Sequence, residues 1–231
     1  MAKQVIMTAD KLRKQKKLFK ILRLATISTF GGMFSMFTVL NLVYNGGDFS
    51  IDLEKKLSEE KSIVLYDNSL DKNATRKLYA EDLQYMDNIS INWIPENIHI
   101  EKEGSHNGDN YIAYTFYLEN QGEESTNYWY TIFIDDVIKH VDEAIRIMIY
   151  RNDEKLVYAK KNKDTEEAEP KTKMFYSDDV AVLEQVKDFK AGAVDKYTIV
   201  VFIEGDDPDC INQLIGGEIK LHMEITAEKT R

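Results

Sequence analysis

KYTIVVFIEGDDPDCINQLIGGEIKLHMEIT, residues 196–226, is the stretch that decides the fold of this chain. Its first part, Lys196–Glu204, is an almost continuous apolar run, which is typical of a strand at the centre of a sheet. In its last part, Glu218–Thr226, apolar and polar residues alternate strictly, which predicts a strand with one buried face and one solvated face. The two strands are separated by a polar segment of turn residues.

Further short segments on the N-terminal side of this stretch have the two-residue period of strands. They are Lys61–Tyr66, Ile89–Trp93, Ile98–Ile100, Tyr111–Asn120, Tyr128–Asp136, Ala144–Tyr150, Leu156–Lys160 and Val180–Phe189. We expect Tyr111–Asn120 and Tyr128–Asp136 to be neighbours, and Asn152-Asp153 has the position of a hairpin turn. Roughly eight to ten short strands with little helix predict a mainly β fold, an antiparallel β-sandwich of jelly-roll or immunoglobulin-like type.

Two segments between the strands are predicted to be irregular. Leu70–Asp87 contains helix formers flanked by turn residues, and we interpret it as a loop or a short helix. Lys160–Lys173 is nearly all charged or polar, which predicts a solvated loop.

The N-terminal part of the chain contains LATISTFGGMFSMFTVLNLVY, residues 24–44, a run of 21 residues without a charge. A helix of this length reaches about 31 Å, close to the roughly 30 Å of a bilayer's hydrocarbon core. Its Ser and Thr hydroxyls can bond back to helix carbonyls. We therefore predict one transmembrane helix, retained as a signal anchor. The alternatives are a signal peptide cleaved near Gly47 and a buried helix of a soluble protein.

Charge gives this helix an expected orientation. Residues 1–23 contain eight basic residues and one acid, a net charge of +7, whereas the whole chain has a net charge of −10 and residues 24–231 therefore carry −17. Because positive residues stay on the cytoplasmic side, the N-terminus is expected inside and the acidic domain outside. The expected organisation is a basic tail at 1–23, the span at 24–44, a linker at 45–60 and an extracytoplasmic domain at 61–231.

The composition excludes some classes of partner and structure. A content of 43% hydrophobic and 11% aromatic residues is that of a folded domain, not a disordered chain. The acidic charge argues against nucleic acid and against anionic headgroups as partners, because both need clustered Lys and Arg. Cys210 is the only cysteine, so the chain has no internal disulfide, which is typical of Gram-positive surface proteins.

The segment between the last two strands contains the one local motif with a mechanical interpretation. Asp207, Pro208 and Asp209 follow the order of an N-cap, a first helical residue and an acidic first turn, and Gly216 before Gly217 has the place of a left-handed stop. The pattern predicts a short helix that closes one end of the sandwich. Three apolar residues would then share its inner face: Ile211, Leu214 and Ile215.

The same segment contains candidate ligands and a candidate thiol. Asp206, Asp207 and Asp209 offer the hard oxygens that Ca²⁺ prefers, although their spacing is not that of a known calcium loop, and capping and solvation explain the same residues. Further aspartates that could join such a site are Asp135, Asp136, Asp178 and Asp179. Cys210 is either a thiol activated by a helix N-terminus or a small buried apolar side chain.

No enzyme signature is present in the sequence. The four histidines, His99, His106, His140 and His222, are far apart, and H-E-x-x-H, G-x-S-x-G and phosphate-binding glycine loops are absent. We therefore predict no catalytic residues and no cofactor beyond the candidate Ca²⁺.

The basic tail, the single apolar segment, the β-rich remainder and the closing run from Asp195 to Ile225 together resemble exported Gram-positive proteins of the TasA/camelysin-like group. Looser support comes from AIRIMIY and YIAYTFYLENQG. The resemblance covers about a third of the chain, and it implies a jelly-roll domain, processing by a dedicated signal peptidase and a role in surface or biofilm-matrix fibres. Some members carry a metallopeptidase label, but this chain has no motif onto which a zinc site can be transferred.

These observations predict a non-enzymatic, membrane-anchored or exported cell-surface protein with a structural role in envelope or biofilm-matrix assembly. Its partners would be the membrane, through residues 24–44, and protein partners or further copies, through sheet edges. One alternative is a membrane-bound metal-dependent hydrolase. The other is an accessory subunit of an export or cell-wall complex that docks through the span.

Overall fold

The computed structural model describes residues 9–44 and 49–229 of the chain. It divides the chain into two compact units, Met1–Gly46 and Gly47–Arg231. Residues 45–48 of the predicted linker and the alternative cleavage position near Gly47 lie outside the described residues.

The first unit contains one continuous helix of 36 residues, α1 (Ala9–Tyr44). Among the described residues, it is the one helix whose length and composition suffice to cross a membrane, over Arg13–Thr38. The hydroxyls of Thr26, Thr29 and Thr38 donate to the carbonyl four residues earlier at 2.8–2.9 Å. These bonds satisfy the hydroxyls within the helix. The length and apolar composition of α1 confirm the expectation of a long apolar N-terminal helix.

The second unit consists of two β-sheets and one short helix, α2 (Lys55–Glu60). Within the described residues, the first sheet has the spatial order β10 (Val180–Phe189), β6 (Thr126–Ile138), β12 (Glu218–Thr226), β1 (Phe49–Leu53) and β3 (Lys77–Tyr79). The second sheet has the order β2 (Ile63–Tyr66), β5 (Ile112–Asn120), β11 (Val194–Ile203), β7 (Ile145–Arg151), β8 (Glu154–Ala159) and β9 (Lys173–Met174), and β4 (Gly104–Ser105) pairs with β5.

The inward faces of both sheets form one hydrophobic core, which makes the unit a two-layer sandwich. Tyr130 and Ile132 of β6 and Met223 of β12 belong to this core together with Phe116 of β5 and Ile199 of β11. The alternation along 218–226 thus predicted the buried face of β12 correctly. The most apolar strand, β11, lies between β5 and β7 in the middle of its sheet, also as expected.

Strand pairing corrects two expectations. The sheets are mixed, because β1 pairs with β12 in parallel and β8 pairs with β9 in parallel, so the sandwich is not purely antiparallel. β5 and β6 lie in different sheets and are not neighbours. The expected hairpin between β7 and β8 is confirmed, with Asn152 in the left-handed region (φ 55°).

The predicted linker at 45–60 is wrong over its described part. Phe49, Ile51 and Leu53 are buried in the core, and β1 lies between β12 and β3. Leu57 of α2 is also fully buried. These residues belong to the domain because their alternating apolar side chains fill the core opposite the second sheet.

The segment 89–100 is not a pair of strands. Its residues form a single bridge at Ile89, a 3-10 turn at Ile91–Trp93 and further turns. Ile89, Ile94 and Ile98 are buried in a second, smaller apolar cluster on the outer face of the second sheet, with residues that include Met148 and Phe202. The apolar residues therefore cover a sheet and do not extend one. Part of the predicted loop or helix at 70–87 is instead strand β3.

A buried polar group joins the two sheets across the core. The Tyr128 hydroxyl of β6 donates to Oδ2 of Asp195 in β11 at 2.5 Å, and the Tyr197 hydroxyl lies 2.7 Å from the Tyr128 oxygen. Asn152 Nδ2 donates to the other Asp195 oxygen at 3.0 Å. Burial, and next the neighbouring Tyr197 and Asp195, raise the pKa of Tyr128 far above its usual value.

We expect Tyr128→Phe to lower the free energy of unfolding by about 1–3 kcal/mol, because a buried carboxylate oxygen loses its donor. The folded-state pKa of Tyr128 is raised, so its contribution is complete below about pH 10 and is lost as the pH rises above that value. Urea unfolding of the full chain in detergent micelles between pH 7 and 11 measures both effects, and the variant should show a flatter alkaline decline. Tyr85→Phe, at an exposed position, is the control; equal effects of the two variants would contradict this account.

Candidate functional site

The segment between β11 and β12 is built from turns and not from the predicted helix. Cys210 N–H bonds to the Asp207 carbonyl at 3.0 Å, but Ile211 is extended (φ −107°, ψ 161°), and only Asn212–Leu214 forms a 3-10 turn. An α-helix of two turns has little stability of its own. Leu214 is buried as expected, whereas Ile211 and Ile215 are exposed, so the predicted shared face does not exist.

Two glycines end this segment as the sequence suggested. Gly216 has φ +71°, the left-handed conformation expected of a stop. A Cβ on Gly217 would lie 2.8 Å from the Ile138 carbonyl oxygen and 2.9 Å from that of Leu214, so close backbone approach requires glycine there.

Asp207 is held by a buried arginine that the sequence analysis did not single out. Arg146 Nη2 of β7 lies 2.5 Å from Asp207 Oδ2, and both side chains are almost fully buried. The other carboxylate oxygen of Asp207 accepts the Asp209 N–H at 2.8 Å. Asp207 thus accepts a bond within a turn and is not the N-cap of the predicted helix, and its main partner is the guanidinium.

A second buried carboxylate approaches the same arginine from the charged loop at 160–173. Glu169 Oε2 lies 4.0 Å from Arg146 Nη2, and Glu169 Oε1 accepts a bond from Asn162 Nδ2 at 2.9 Å. Most side chains of this loop are exposed, as a solvated loop requires, but Glu169 is only 6% exposed. The loop therefore folds back against the start of β7 and supplies a countercharge to Arg146.

We call Arg146, Glu169, Asp207 and Asp209 the Arg146 cluster. Oxygens of its three carboxylates lie within 4.8 Å of one another, which is close enough for a shared metal ion. The structure therefore brings together two of the three predicted Ca²⁺ candidates, Asp207 and Asp209. The third, Asp206, bonds to the Ser90 hydroxyl at 2.6 Å and does not belong to the group.

The polar groups of the Arg146 cluster already have partners. Asp207 accepts bonds from Arg146 and from the Asp209 N–H. Glu169 accepts a bond from Asn162, and Asp209 Oδ2 accepts the Lys163 N–H at 3.4 Å. The Arg146 guanidinium is a countercharge to Asp207 and Glu169. The arrangement accounts for the buried carboxylates as an ion-pair network, without a metal ion.

The remaining aspartates that were candidates for a shared calcium site lie elsewhere. Asp135 accepts a bond from His222 Nδ1 at 2.7 Å, and this imidazole stacks on Phe133. Asp178 lies 4.0 Å from Lys160 Nζ. The histidine on the polar face of β12 is thus a partner of Asp135.

A cleft of about 880 Å³ opens beside the Arg146 cluster. Arg146, Glu169 and Asp207 lie in its wall together with apolar residues such as Leu156 and Pro170. This volume is in the range of clefts that hold small ligands. Within the wall, Arg146 pairs with Asp207 and Glu169, and these contacts stabilise that side of the cleft.

Cys210 is partly buried next to this cluster. Burial, and next the Asp207 carboxylate, raise the pKa of the Cys210 thiol. The thiol is therefore protonated at neutral pH, which fits a small packing residue and not an activated nucleophile.

Sequence reasoning missed Arg146 and Glu169. Arg146 is the only charged residue in the apolar segment AIRIMIY, and a lone charge in a strand that is otherwise buried is a usable signal for a buried ion pair. Glu169 is one of many acids in a charged loop, so no local signal distinguishes it.

Comparison with known proteins gives little further information. No family model matches the chain, and no curated protein matches it. Among solved structures, the chain is similar to the crystal structure of a beta-glucosidase from Kluyveromyces marxianus in complex with glucose, with 14% identity and a TM-score of 0.24, over 73% of this chain and 15% of that one. A likeness at this TM-score carries no argument about fold or activity.

Arg146→Met should destabilise the domain by about 3–5 kcal/mol, because Asp207 and Glu169 would remain buried without their cation. Adding Asp207→Asn to this variant should recover part of the loss, since one uncompensated charge is removed. Urea unfolding of the full chain in detergent measures both. The matched control is Lys161→Met, which removes an exposed pair with Glu166 at 3.4 Å and should cost at most about 1 kcal/mol. A loss after Arg146→Met as small as that of the control would contradict a buried ion-pair network.

Proposed function

We propose that this chain is a non-enzymatic, membrane-anchored cell-surface protein of the Gram-positive type whose β-sandwich mediates envelope or biofilm-matrix assembly through a free sheet edge. The N-terminal helix is retained as the anchor, with the basic tail in the cytoplasm and the domain outside. Assembly through the edge strand β10 is the second element of the proposal.

The orientation rests on charge. Residues 1–23 carry +7 and residues 24–231 carry −17 within a chain of net charge −10. The positive end stays in the cytoplasm under the rule that governs short flanking segments. The acidic domain is then extracytoplasmic.

We further propose a jelly-roll topology for the sandwich. In a jelly roll, the first strand pairs with the last, the second with the second-last and so on, and successive strands alternate between two sheets. The pairings β1 with β12, β5 with β11, β6 with β10 and β7 with β8 support this order. The parallel direction of the β1–β12 pair is a departure, since jelly-roll partners run antiparallel.

The observation that carries the assembly proposal is the length of the free edge at β10. This ten-residue strand ends the first sheet, and among the described residues no strand pairs with its outer side. Five consecutive residues, Val182–Val186, keep a regular register with Ile132–Tyr128 of β6. A regular edge of this length offers unpaired backbone groups for strand addition.

The other described edges are much less suitable. β3 and β9 have three and two residues, and β2 has four, one of which, Leu65, forms a bridge with Thr75. Short strands of this kind are a common means of blocking edge-to-edge association. β10 is thus the preferred edge for a partner strand.

Two neighbouring proline substitutions test this role of β10. Successive N–H groups of a strand point to opposite sides, so one of Glu184→Pro and Gln185→Pro removes a backbone bond to β6 and the other removes an outward N–H. Glu184→Pro also removes the carboxylate that accepts from the Tyr158 hydroxyl at 2.9 Å and pairs with Lys173 at 2.7 Å. The variant that keeps the far-UV spectrum and thermal midpoint of the parent should show weaker self-association in sedimentation velocity of the full chain in detergent.

The control is Glu123→Pro, in the loop before β6, which should leave association unchanged. A parent chain that stays monomeric at high concentration, with and without Ca²⁺, would contradict assembly through this edge. Equal association of the parent and the folded β10 variant would exclude β10 as the contact.

A further inference from the structure

The loop between β6 and β7 gathers three side chains of metal-ligand type. His140, Asp142 and Glu143 each offer a ligand atom, and these atoms lie within 4.8 Å of one another. They lie in and next to a single 3-10 turn, Val141–Glu143. This group is distinct from the Arg146 cluster, with which it shares no residue.

Asp142 has a feature that ion pairing does not explain. The residue is only 5% exposed, and its Oδ2 bonds to Lys160 Nζ at 2.6 Å. The other oxygen, Oδ1, is buried and has no hydrogen-bond partner among the described residues. Nearly all buried polar atoms in proteins have a partner, so an unpaired oxygen on a buried carboxylate within a ligand group points to a further cation.

The two lysines near the turn do not provide a partner for every carboxylate oxygen of the group. Lys160 Nζ reaches Asp142 Oδ2 and, at 3.3 Å, Glu143 Oε1, and Lys163 Nζ lies 3.6 Å from Glu143 Oε1. Neither ammonium pairs with Asp142 Oδ1. Within residues 9–44 and 49–229, the exposed imidazole of His140 has no hydrogen bond or ion pair.

We propose that His140, Asp142 and Glu143 form a binding site for a divalent first-row transition metal ion of the Zn²⁺ type. One imidazole nitrogen and two carboxylate oxygens are a donor set that Zn²⁺ accepts, and three protein ligands leave a position for water. Ca²⁺ and Mg²⁺ prefer oxygen ligands alone, so the imidazole disfavours them.

Metal binding and Lys160 compete for the same carboxylates. A metal ion on Asp142 and Glu143 would lie close to the Lys160 ammonium, and the two positive charges repel each other. Lys160 therefore weakens metal binding while it stabilises the metal-free turn. The site is independent of strand assembly, and its test does not depend on the function proposed above.

The test uses the full chain without a polyhistidine tag, in detergent micelles and freed of metal by chelation. Isothermal titration with Zn²⁺ should show one ion per chain, and Co²⁺ should give the visible absorption bands of a low-symmetry nitrogen–oxygen site. His140→Ala and Asp142→Asn should each weaken Zn²⁺ binding at least tenfold. Lys160→Met should tighten it, because the competing charge is removed.

Two matched controls separate this site from other candidate ligands. Asp209→Asn alters the acidic group of the Arg146 cluster, and His222→Ala removes the histidine that bonds to Asp135. Neither should change Zn²⁺ affinity. Circular dichroism checks that each variant keeps the parent fold.

Several results would overturn the proposal. One is a parent chain that binds neither Zn²⁺ nor Co²⁺. Another is binding that persists unchanged after His140→Ala and Asp142→Asn, or that is lost after Asp209→Asn or His222→Ala instead. Tighter binding of Ca²⁺ than of Zn²⁺, or weaker Zn²⁺ binding by a folded Lys160→Met chain, would also contradict it.

Discussion

The structure of the domain depends on the burial of one face of each sheet against the other. β12 and β6 present alternate apolar residues to the same core as β5, β7 and β11. Because side chains on a strand alternate between faces, a shift of one residue in any register would expose this core. The Tyr128–Asp195–Tyr197 group fixes one such register with hydrogen bonds from one sheet to the other.

The loops near the start of β7 carry charged residues that pair with one another beside the hydrophobic core. Arg146, near the start of β7, joins Asp207 of the β11–β12 connection to Glu169 of the charged loop. Lys160, from the same loop, binds Asp142 and Glu143 of the β6–β7 connection. Burial lowers the pKa of Lys160, but the hydrogen bonds that its ammonium donates to the Asp142 and Glu143 carboxylates outweigh burial, so the pKa is raised and the lysine is charged. Three connections are thus held together by two cations, the buried Arg146 and the partly buried Lys160.

Sequence periodicity predicted those strands whose own residue pattern is strong, and the turn residues predicted one local hairpin. The alternation in 218–226, the apolar run in 196–204 and the Asn152-Asp153 turn each correspond to an observed element. Phe49, Ile51 and Leu53 alternate in the same way, but parallel pairing of Phe49 with Leu221 joins distant parts of the chain, and no local pattern encodes it.

The wrong predictions have a common physical cause, which is that tertiary contacts override a local sequence pattern. The apolar residues of 89–100 have strand-like spacing, yet the chain uses them to cover the outer face of the second sheet. Asp207 and Pro208 have the right order to start a helix, yet Arg146 and the extended Ile211 set a different path. Among the site residues, Asp207 and Asp209 could be proposed from the sequence, and Arg146 has a local signal as the lone charge of AIRIMIY. Glu169 becomes evident only through tertiary contacts.

The central claim is that a retained N-terminal anchor holds an acidic sandwich domain on the outside of the membrane. It is tested most directly by intact mass spectrometry of the chain after intact cells are treated with a membrane-impermeant maleimide. Two variants in a Cys210→Ser background carry one cysteine each, Glu166→Cys in an exposed domain loop and Lys11→Cys in the basic tail. The account predicts the full-length mass for both, with one label on the Glu166→Cys chain and none on the Lys11→Cys chain. A label on the tail alone, or a mass that lacks the residues up to about Gly47, would contradict it.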